Sequence, residues 1–267
     1  MAYKEILYEK EGNLGIITIN RPQAMNSLTN LTLKEMTEVV DNTAKDPAVR
    51  ALIVTGTGDR AFSAGMDFGH LQRISRGEET IASPHIGGED GGGGFYRKLY
   101  ELEKPTLAAI NGMVAVGSFG VMFACDIRIA SDKARFAFGS FLKRALTPHN
   151  GTSWWLPRLV GEGRALELFF RSDIVGAEEA LRLGLVSRVV PHNDLMAATK
   201  EYASQIASGP PISIALTKRE IHRAFFTTLP LHMEYEIVNN SLCHQTEDFQ
   251  EAVVAFQEKR EPVFRGR

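Results

Sequence analysis

Residues 104–130 read KPTLAAINGMVAVGSFGVMFACDIRIA, and the fold turns on this stretch. A short apolar strand, Thr106 to Ile110, runs into the turn Asn111-Gly112. Small residues follow from Val114 to Ser118, then a compact apolar segment as far as Cys125. Asp126 opens a second apolar strand, Ile127 to Ala130. Strand, glycine turn, helix and strand in so short a space is α/β architecture. Gly117 falls at the start of the buried helix, where a backbone amide has no partner within the helix and sits at its positive end. Glycine also lets a ligand approach the backbone closely. Two readings stand side by side here: an anion or oxyanion site, or a helix that needs small residues to pack on its sheet.

Outward from this unit, Lys4 to Lys10 and Leu14 to Asn20 read as strands joined at Glu11-Gly12-Asn13. Asn20-Arg21-Pro22 stops the second. Thr29 to Ala44 is helical in its spacing of Leu31, Leu33, Met36, Val39 and Val40, with Thr29 or Asn30 as cap. Ala51 to Gly56 is continuously apolar, as a strand covered on both faces should be. Gly56-Thr57-Gly58 after a strand invites a dinucleotide reading, but the third glycine is missing, Ala61 standing there, and no helix begins at once. Ser63-Ala64-Gly65 before a helix near Asp67 offers a second free amide, with Asp67 supporting the helix N-terminus. The glycine-rich stretch 75–94 reads as a loop, an idle one or a lid, and Phe95 to Leu102 as a short helix. Asp132 to Phe138 and Leu185 to Val190 read as strands; Ala165 to Phe170 and Ala177 to Leu183 read as helices. Beyond His192 the pattern is almost wholly helical. The expected organisation is an α/β body over 1–190 and a helical region over 191–267.

The chain has 267 residues, 44% of them hydrophobic, enough for a sizeable core. A net charge of −2 argues against nucleic acid or an anionic membrane as the main partner. Two cysteines suggest neither a disulfide framework nor a zinc site. The start of the chain lacks an apolar signal core, and the longest apolar run, Met113 to Cys125, is too short for a bilayer. The expectation is a soluble, cytoplasmic protein without a metal.

Several pieces taken together resemble the enoyl-CoA hydratase/isomerase family, the crotonase superfamily. They are Asn20-Arg21-Pro22 with Asn26 and Leu28, Phe62 to Asp67, Lys104-Pro105-Thr106 through Asn111-Gly112, and Ala124-Cys125-Asp126-Ile127. Ala134-Arg135-Phe136, Leu156 to Gly161, Ala180 to Leu185 and Phe256 to Arg260 complete the set, in family order. The resemblance implies a spiral of β-β-α turns with a C-terminal helical region that trimerises, singly or as a dimer of trimers. It implies an acyl-CoA thioester as substrate, with no cofactor beyond that coenzyme A. It puts the two amides that hold the thioester oxygen at Met66 and Gly117, the same junctions reached from the residues. It puts Gln23, Ala24, Met25, Ala64 and Asp67 along the CoA groove, with Phe256 and Lys259 reaching a neighbouring subunit's CoA. Gln23 departs from the lysine or arginine common there.

The family's two hydratase glutamates fall, by the same resemblance, at Gly120 and at Phe141 or Ser140, depending on the direction of counting. None is an acid, so hydration by a carboxylate pair is not expected. His149 is the candidate base in their stead, because histidine exchanges protons near neutral pH; an idle turn residue between Pro148 and Asn150 is the other reading. His70, His85, Glu89 and Asp90 are further candidates, each also readable as surface or packing. Phe136, Phe138, Phe141, Trp154 and Trp155 read as core rather than a substrate cage. The sequence thus points to an acyl-CoA enzyme working through a thioester enolate, as hydratase, isomerase, hydrolase or decarboxylase. The alternative is a CoA-binding trimer without catalysis.

Overall fold

The computed structural model describes residues 3–78 and 92–267. His85, Glu89 and Asp90 lie outside the described residues. The chain opens with strands β1 (Ile6–Glu11) and β2 (Leu14–Ile19), a single 3-10 turn at Pro22–Ala24, and helix α1 (Asn30–Lys45). Strands β3 (Ala51–Gly56) and β4 (Ala61–Ser63) precede helices α2 (Phe68–Ser75) and α3 (Gly92–Glu101). Strands β5 (Thr106–Ile110) and β6 (Met113–Ala115) precede α4 (Ser118–Ala124). Next come β7 (Ile127–Ser131), β8 (Arg135–Ala137), α5 (Thr152–Val160) and α6 (Glu162–Arg171). β9 (Ile174–Gly176), α7 (Ala177–Arg182) and β10 (Arg188–Val190) complete the strands. Helices α8 (Leu195–Ala207), α9 (Pro211–Ala224), α10 (Leu229–His244) and α11 (Glu247–Glu258) end the chain.

Two sheets result, in the orders β1-β2-β3-β5-β7-β10 and β4-β6-β8-β9. Three times in succession one strand joins the large sheet, the next joins the small one, and helix follows. This is the spiral of β-β-α turns that the sequence led us to expect. Short strands cause the differences from expectation. β4, β6 and β9 are three residues each, too short to show alternation, and the chain from Asp132 to Phe138 is strand only at Arg135–Ala137. Helix α3 opens at Gly92 rather than at Phe95.

The large sheet is covered on both faces, which is why its strands read as unbroken apolar runs. Side chains alternate across it. Leu52, Val54, Ala108 and Ile110 face the main core with α1, α3 and α4. Ala51, Ile53, Leu107 and Ala109 face a second cluster closed by Leu195, Ala203 and Ala207 of α8. The first helix after residue 190 therefore belongs to the core of the body. Corners between strands are held by two asparagines. Asn26 Nδ2 donates to the carbonyls of Thr57 and Ala61 at 3.0 and 2.7 Å. Asn111 Nδ2 donates to Gly58 and Ala61 at 2.7 and 3.1 Å. Gly112 is required at that corner, since a Cβ there would lie 2.6 Å from the Arg60 carbonyl.

Helix α9 is tied to the body through Asp126, which accepts from Lys218 Nζ at 2.8 Å and from the Thr106 amide at 2.8 Å. His222 stacks flat on Tyr100, centroids 3.7 Å apart. Burial, and then the Lys218 ammonium, push its imidazole down to about 4 against the pull of Asp126. Between about pH 6.5 and about 4 the unfolded chain binds this proton and the folded chain does not, so stability falls as the pH drops through that window. His222→Phe keeps the ring on Tyr100 and removes the titration. We expect its melting temperature to decline less than the wild type's between pH 6.5 and 4 in thermal melts; parallel declines would refute the assignment.

Candidate active site

Two strand-to-helix junctions meet at one point. The first runs from β4 through Ala64, Gly65 and Met66 to α2; the second runs from β6 through Val116 and Gly117 to α4. Gly65 has φ +83°, and a Cβ on it would lie 2.5 Å from the Ala115 carbonyl and 2.9 Å from the Gly117 nitrogen. Only glycine permits that approach. Ser118 locks the pair, its Oγ lying 2.8 Å from the Ser63 carbonyl as donor and accepting from the Ala115 amide at 2.9 Å.

This packing leaves two amides free. Leu28 bridges Met66 in parallel fashion, its amide bonded to the Gly65 carbonyl at 2.7 Å and its carbonyl to the Asp67 amide at 3.1 Å. Alternation along an extended chain turns the Met66 N–H to the opposite side. Gly117 is the residue capping α4, with no side-chain cap. Among the described residues, neither amide donates to any acceptor. Val116, just before Gly117, sits at φ +50°, a left-handed conformation that a β-branched residue rarely takes. Its amide donates to Ser140 Oγ at 2.9 Å, which helps hold the strained turn.

The turn 147–152 lies against the second junction. His149 Nδ1 donates to the Thr147 carbonyl at 3.0 Å, so in the neutral ring Nε2 carries the lone pair. That Nε2 is buried and, among the described residues, without a hydrogen-bond partner, 3.8 Å from the point a Cβ on Gly117 would occupy. The ring packs edge-on against Phe141 at 5.2 Å. Thr152 fixes the turn, its amide and hydroxyl both donating to the His149 carbonyl. Asn150 takes φ +56°, and its Nδ2 donates to Tyr96 Oη at 3.0 Å.

Gly120, one turn along α4, faces the back of the same turn. A Cβ there would lie 2.6 Å from the Asn150 carbonyl and 2.9 Å from the Tyr96 ring. The main chain of Asn150 thus occupies the space a side chain at 120 would need. Phe141 is fully buried in the core, and Ser140 serves the Val116 amide.

The remaining candidates separate. Asp67 Oδ2 accepts from Ser27 Oγ and Arg21 Nη2, and Oδ1 accepts from the Gly69 amide at the head of α2. Burial raises its carboxyl, but the Ser27 and Arg21 hydrogen bonds outweigh this and hold it below the usual range. Met25, at φ +53°, accepts from the Ala64 amide at 3.0 Å, which joins the turn carrying Gln23, Ala24 and Met25 to the first junction. Gln23 is exposed there. Phe256 on α11 is 86% exposed, and Lys259 follows in the left-handed C-terminal cap of that helix. His70 is buried on α2. Phe136, Phe138 and Phe141 belong to the core, with Trp155 packed against it. Trp154 departs from that expectation: half-buried, it stacks on Phe226 in the turn after α9 and under the Arg158 guanidinium of its own helix. Among the described residues, no group of three or more His, Cys, Asp or Glu could hold a metal. Nor, among them, is any helix long and apolar enough to cross a membrane. Tyr96 lies in no motif, and Ser118, read only as one of the small residues beside Gly117, carries no sequence signal of its bridge to Ser63.

The model of the enoyl-CoA hydratase/isomerase family matches residues 9–267. The short-chain-enoyl-CoA hydratase of Clostridium acetobutylicum is 38% identical over 97% of both chains. The crotonyl-CoA hydratase of Syntrophomonas wolfei subsp. wolfei is 37% identical over 99% of both. The solved structure of an enoyl-CoA hydratase from Bacillus anthracis superposes with a TM-score of 0.88 at 29% identity, over 99% of this chain and 100% of that one.

The contact at Gly120 generates a prediction. Gly120→Ala forces a methyl into backbone and should destabilise by about 1–3 kcal/mol, several degrees in melting temperature. Gly163→Ala meets nothing within 4 Å and should leave the melting temperature unchanged or raised. Equal effects in thermal melts would show that the site around Gly120 is loose.

Proposed function

The chain belongs to the enoyl-CoA hydratase/isomerase family, and on that footing we propose that it binds an acyl-CoA thioester and moves protons beside the thioester through His149. The Met66 and Gly117 amides hold the thioester oxygen. As a proton leaves the neighbouring carbon, or as a nucleophile adds to the conjugated double bond, negative charge collects on that oxygen. Two preorganised donors stabilise it there, and loss of one such donor costs on the order of 3 kcal/mol of barrier.

The observation that carries the reading is the buried, unpartnered Nε2 of His149 beside Gly117, with its tautomer set by Thr147. A buried lone pair without a protein donor is available as a base. The two-carboxylate route finds no support: Gly120 has no room for a side chain, Phe141 is apolar core, and the Ser140 hydroxyl is engaged. One base suffices for enolate formation, and so for isomerisation of a double bond. The names of the relatives favour addition or loss of water by the same enolate.

Ala24, Met25, Ala64 and Asp67 form the rim along which CoA lies, with Gln23 contributing an uncharged contact. Phe256 and Lys259 serve the CoA of a neighbouring copy. Self-association, as a trimer or a dimer of trimers, is supported by the exposed apolar side chains of α9, α10 and the turn between them, among them Phe225, Phe226, Leu229, Leu231 and Ile237. No cofactor beyond the CoA of the substrate enters the chemistry.

The test is hydrogen exchange at the carbon next to the thioester, followed by mass spectrometry of butyryl-CoA in heavy water. Wild type should exchange, and His149→Ala should lower the rate about 10²–10⁴-fold with CoA affinity kept. Undiminished exchange in the variant would remove His149 from the mechanism. CoA binding with no exchange in the wild type would favour a trimer without catalysis.

A further inference from the structure

Tyr96 has no part in the chemistry above, yet it borders the same space as His149. It lies on α3 with 4% of its surface exposed. Its Oη is 3.7 Å from the point a Cβ on Gly117 would occupy, and His149 Nε2 is 3.8 Å from that point. Asn150 Nδ2 donates to this oxygen at 3.0 Å. An amide nitrogen has no lone pair to offer in return, so the phenolic proton must be used elsewhere. Among the described residues it has no acceptor. A buried donor left unmet is costly.

The two unmet atoms are complementary. His149 Nε2 can only accept in the neutral ring, and Tyr96 O–H, with Asn150 on its oxygen, is set to donate. A group that satisfies both must donate and accept at once, which a water or an alcohol oxygen does. We infer that Tyr96 is a second catalytic residue, which with His149 holds the oxygen of a water, or of a 3-hydroxyl on the acyl chain, in front of the Gly117 amide. This rests on the acyl-CoA reading above and deepens it. Burial pushes the phenol above its ordinary value, so it stays a donor at any working pH.

The step balances with one base. The water oxygen bonds to C3 of an enoyl thioester while the C2=C3 pair moves to form C1=C2 and the carbonyl π pair moves onto the thioester oxygen between the two amides. The water proton passes to His149 Nε2 and from there to C2, as the carbonyl re-forms and the C1=C2 pair takes up that proton. Tyr96 keeps its proton throughout and orients the oxygen; dehydration is the reverse. Histidine and tyrosine thereby take over the handling of water from a carboxylate pair.

The test compares 3-hydroxybutyryl-CoA with butyryl-CoA, which lacks only the hydroxyl, by calorimetry, together with crotonyl-CoA hydration by loss of enoyl absorbance. Wild type should prefer the hydroxy compound about tenfold or more. Tyr96→Phe keeps the ring and removes the proton, and should bring the ratio towards one and lower hydration at least tenfold in kcat. Asn150→Asp provides the independent arm. Aspartate tolerates the left-handed backbone there, and its carboxylate would draw the phenolic proton away from the ligand, so the preference should vanish although Tyr96 is intact. An unchanged ratio in both variants, or no preference in the wild type, would overturn the role of Tyr96. Failure of hydrogen exchange in the wild type would instead overturn the reading on which it rests.

Discussion

The contact between Gly65 and the Ala115 carbonyl is the constraint on which the site depends. It brings two chain segments, fifty residues apart, into backbone contact where each turns from strand to helix. Amides at such turns are the ones a helix leaves unpaired. Strands from two sheets deliver the segments: β4 and β6 run side by side in the small sheet, while β3 and β5 hold them in register from the large one. Asn26 and Asn111 grip the Ala61 carbonyl from two directions, and Ser118 reaches across to Ser63. The strain at Val116 is carried by this surrounding network.

The polar edge of the site follows from the turn after Pro148. With Asn150 left-handed and Gly151 at φ +78°, the chain folds back so that the Asn150 carbonyl abuts Gly120 and its side chain meets Tyr96. The same fold aims His149 Nε2 towards Gly117. A side chain at 120 would displace the turn that positions the imidazole, so the glycine there and the placement of His149 go together. Phe141 packs edge-on against that imidazole and forms the apolar wall beside it.

Much of this was legible in the sequence, and the reason differs by element. The continuous apolar runs of β3 and β5, the Thr29 cap of α1 and the Asn111-Gly112 corner each carry a local signal, and each falls where expected. Gly117 at the head of α4 was legible because glycine beside small residues is informative before a helix. Strands β4, β6 and β9 were not legible, since pairing rather than pattern defines them. Tyr96 could not be found at all: its neighbours in sequence are ordinary helix residues, and its role arises from a turn more than fifty positions away. Likewise, that Gly120, Ser140 and Phe141 are not acids could be seen in the sequence, but whether the space at 120 is open could not. That needed the position of the Asn150 main chain.

In the proposed site, the two free amides of Met66 and Gly117 would converge on a thioester carbonyl. Vibrational difference spectroscopy of butyryl-CoA carrying ¹³C at the thioester carbon, bound to the wild-type protein, measures that contact without turnover. Two strong donors polarise the carbonyl, so its stretch should move to lower frequency than for the same thioester in water. A bound thioester whose carbonyl stretch stays at its aqueous frequency, or rises, would contradict the claim.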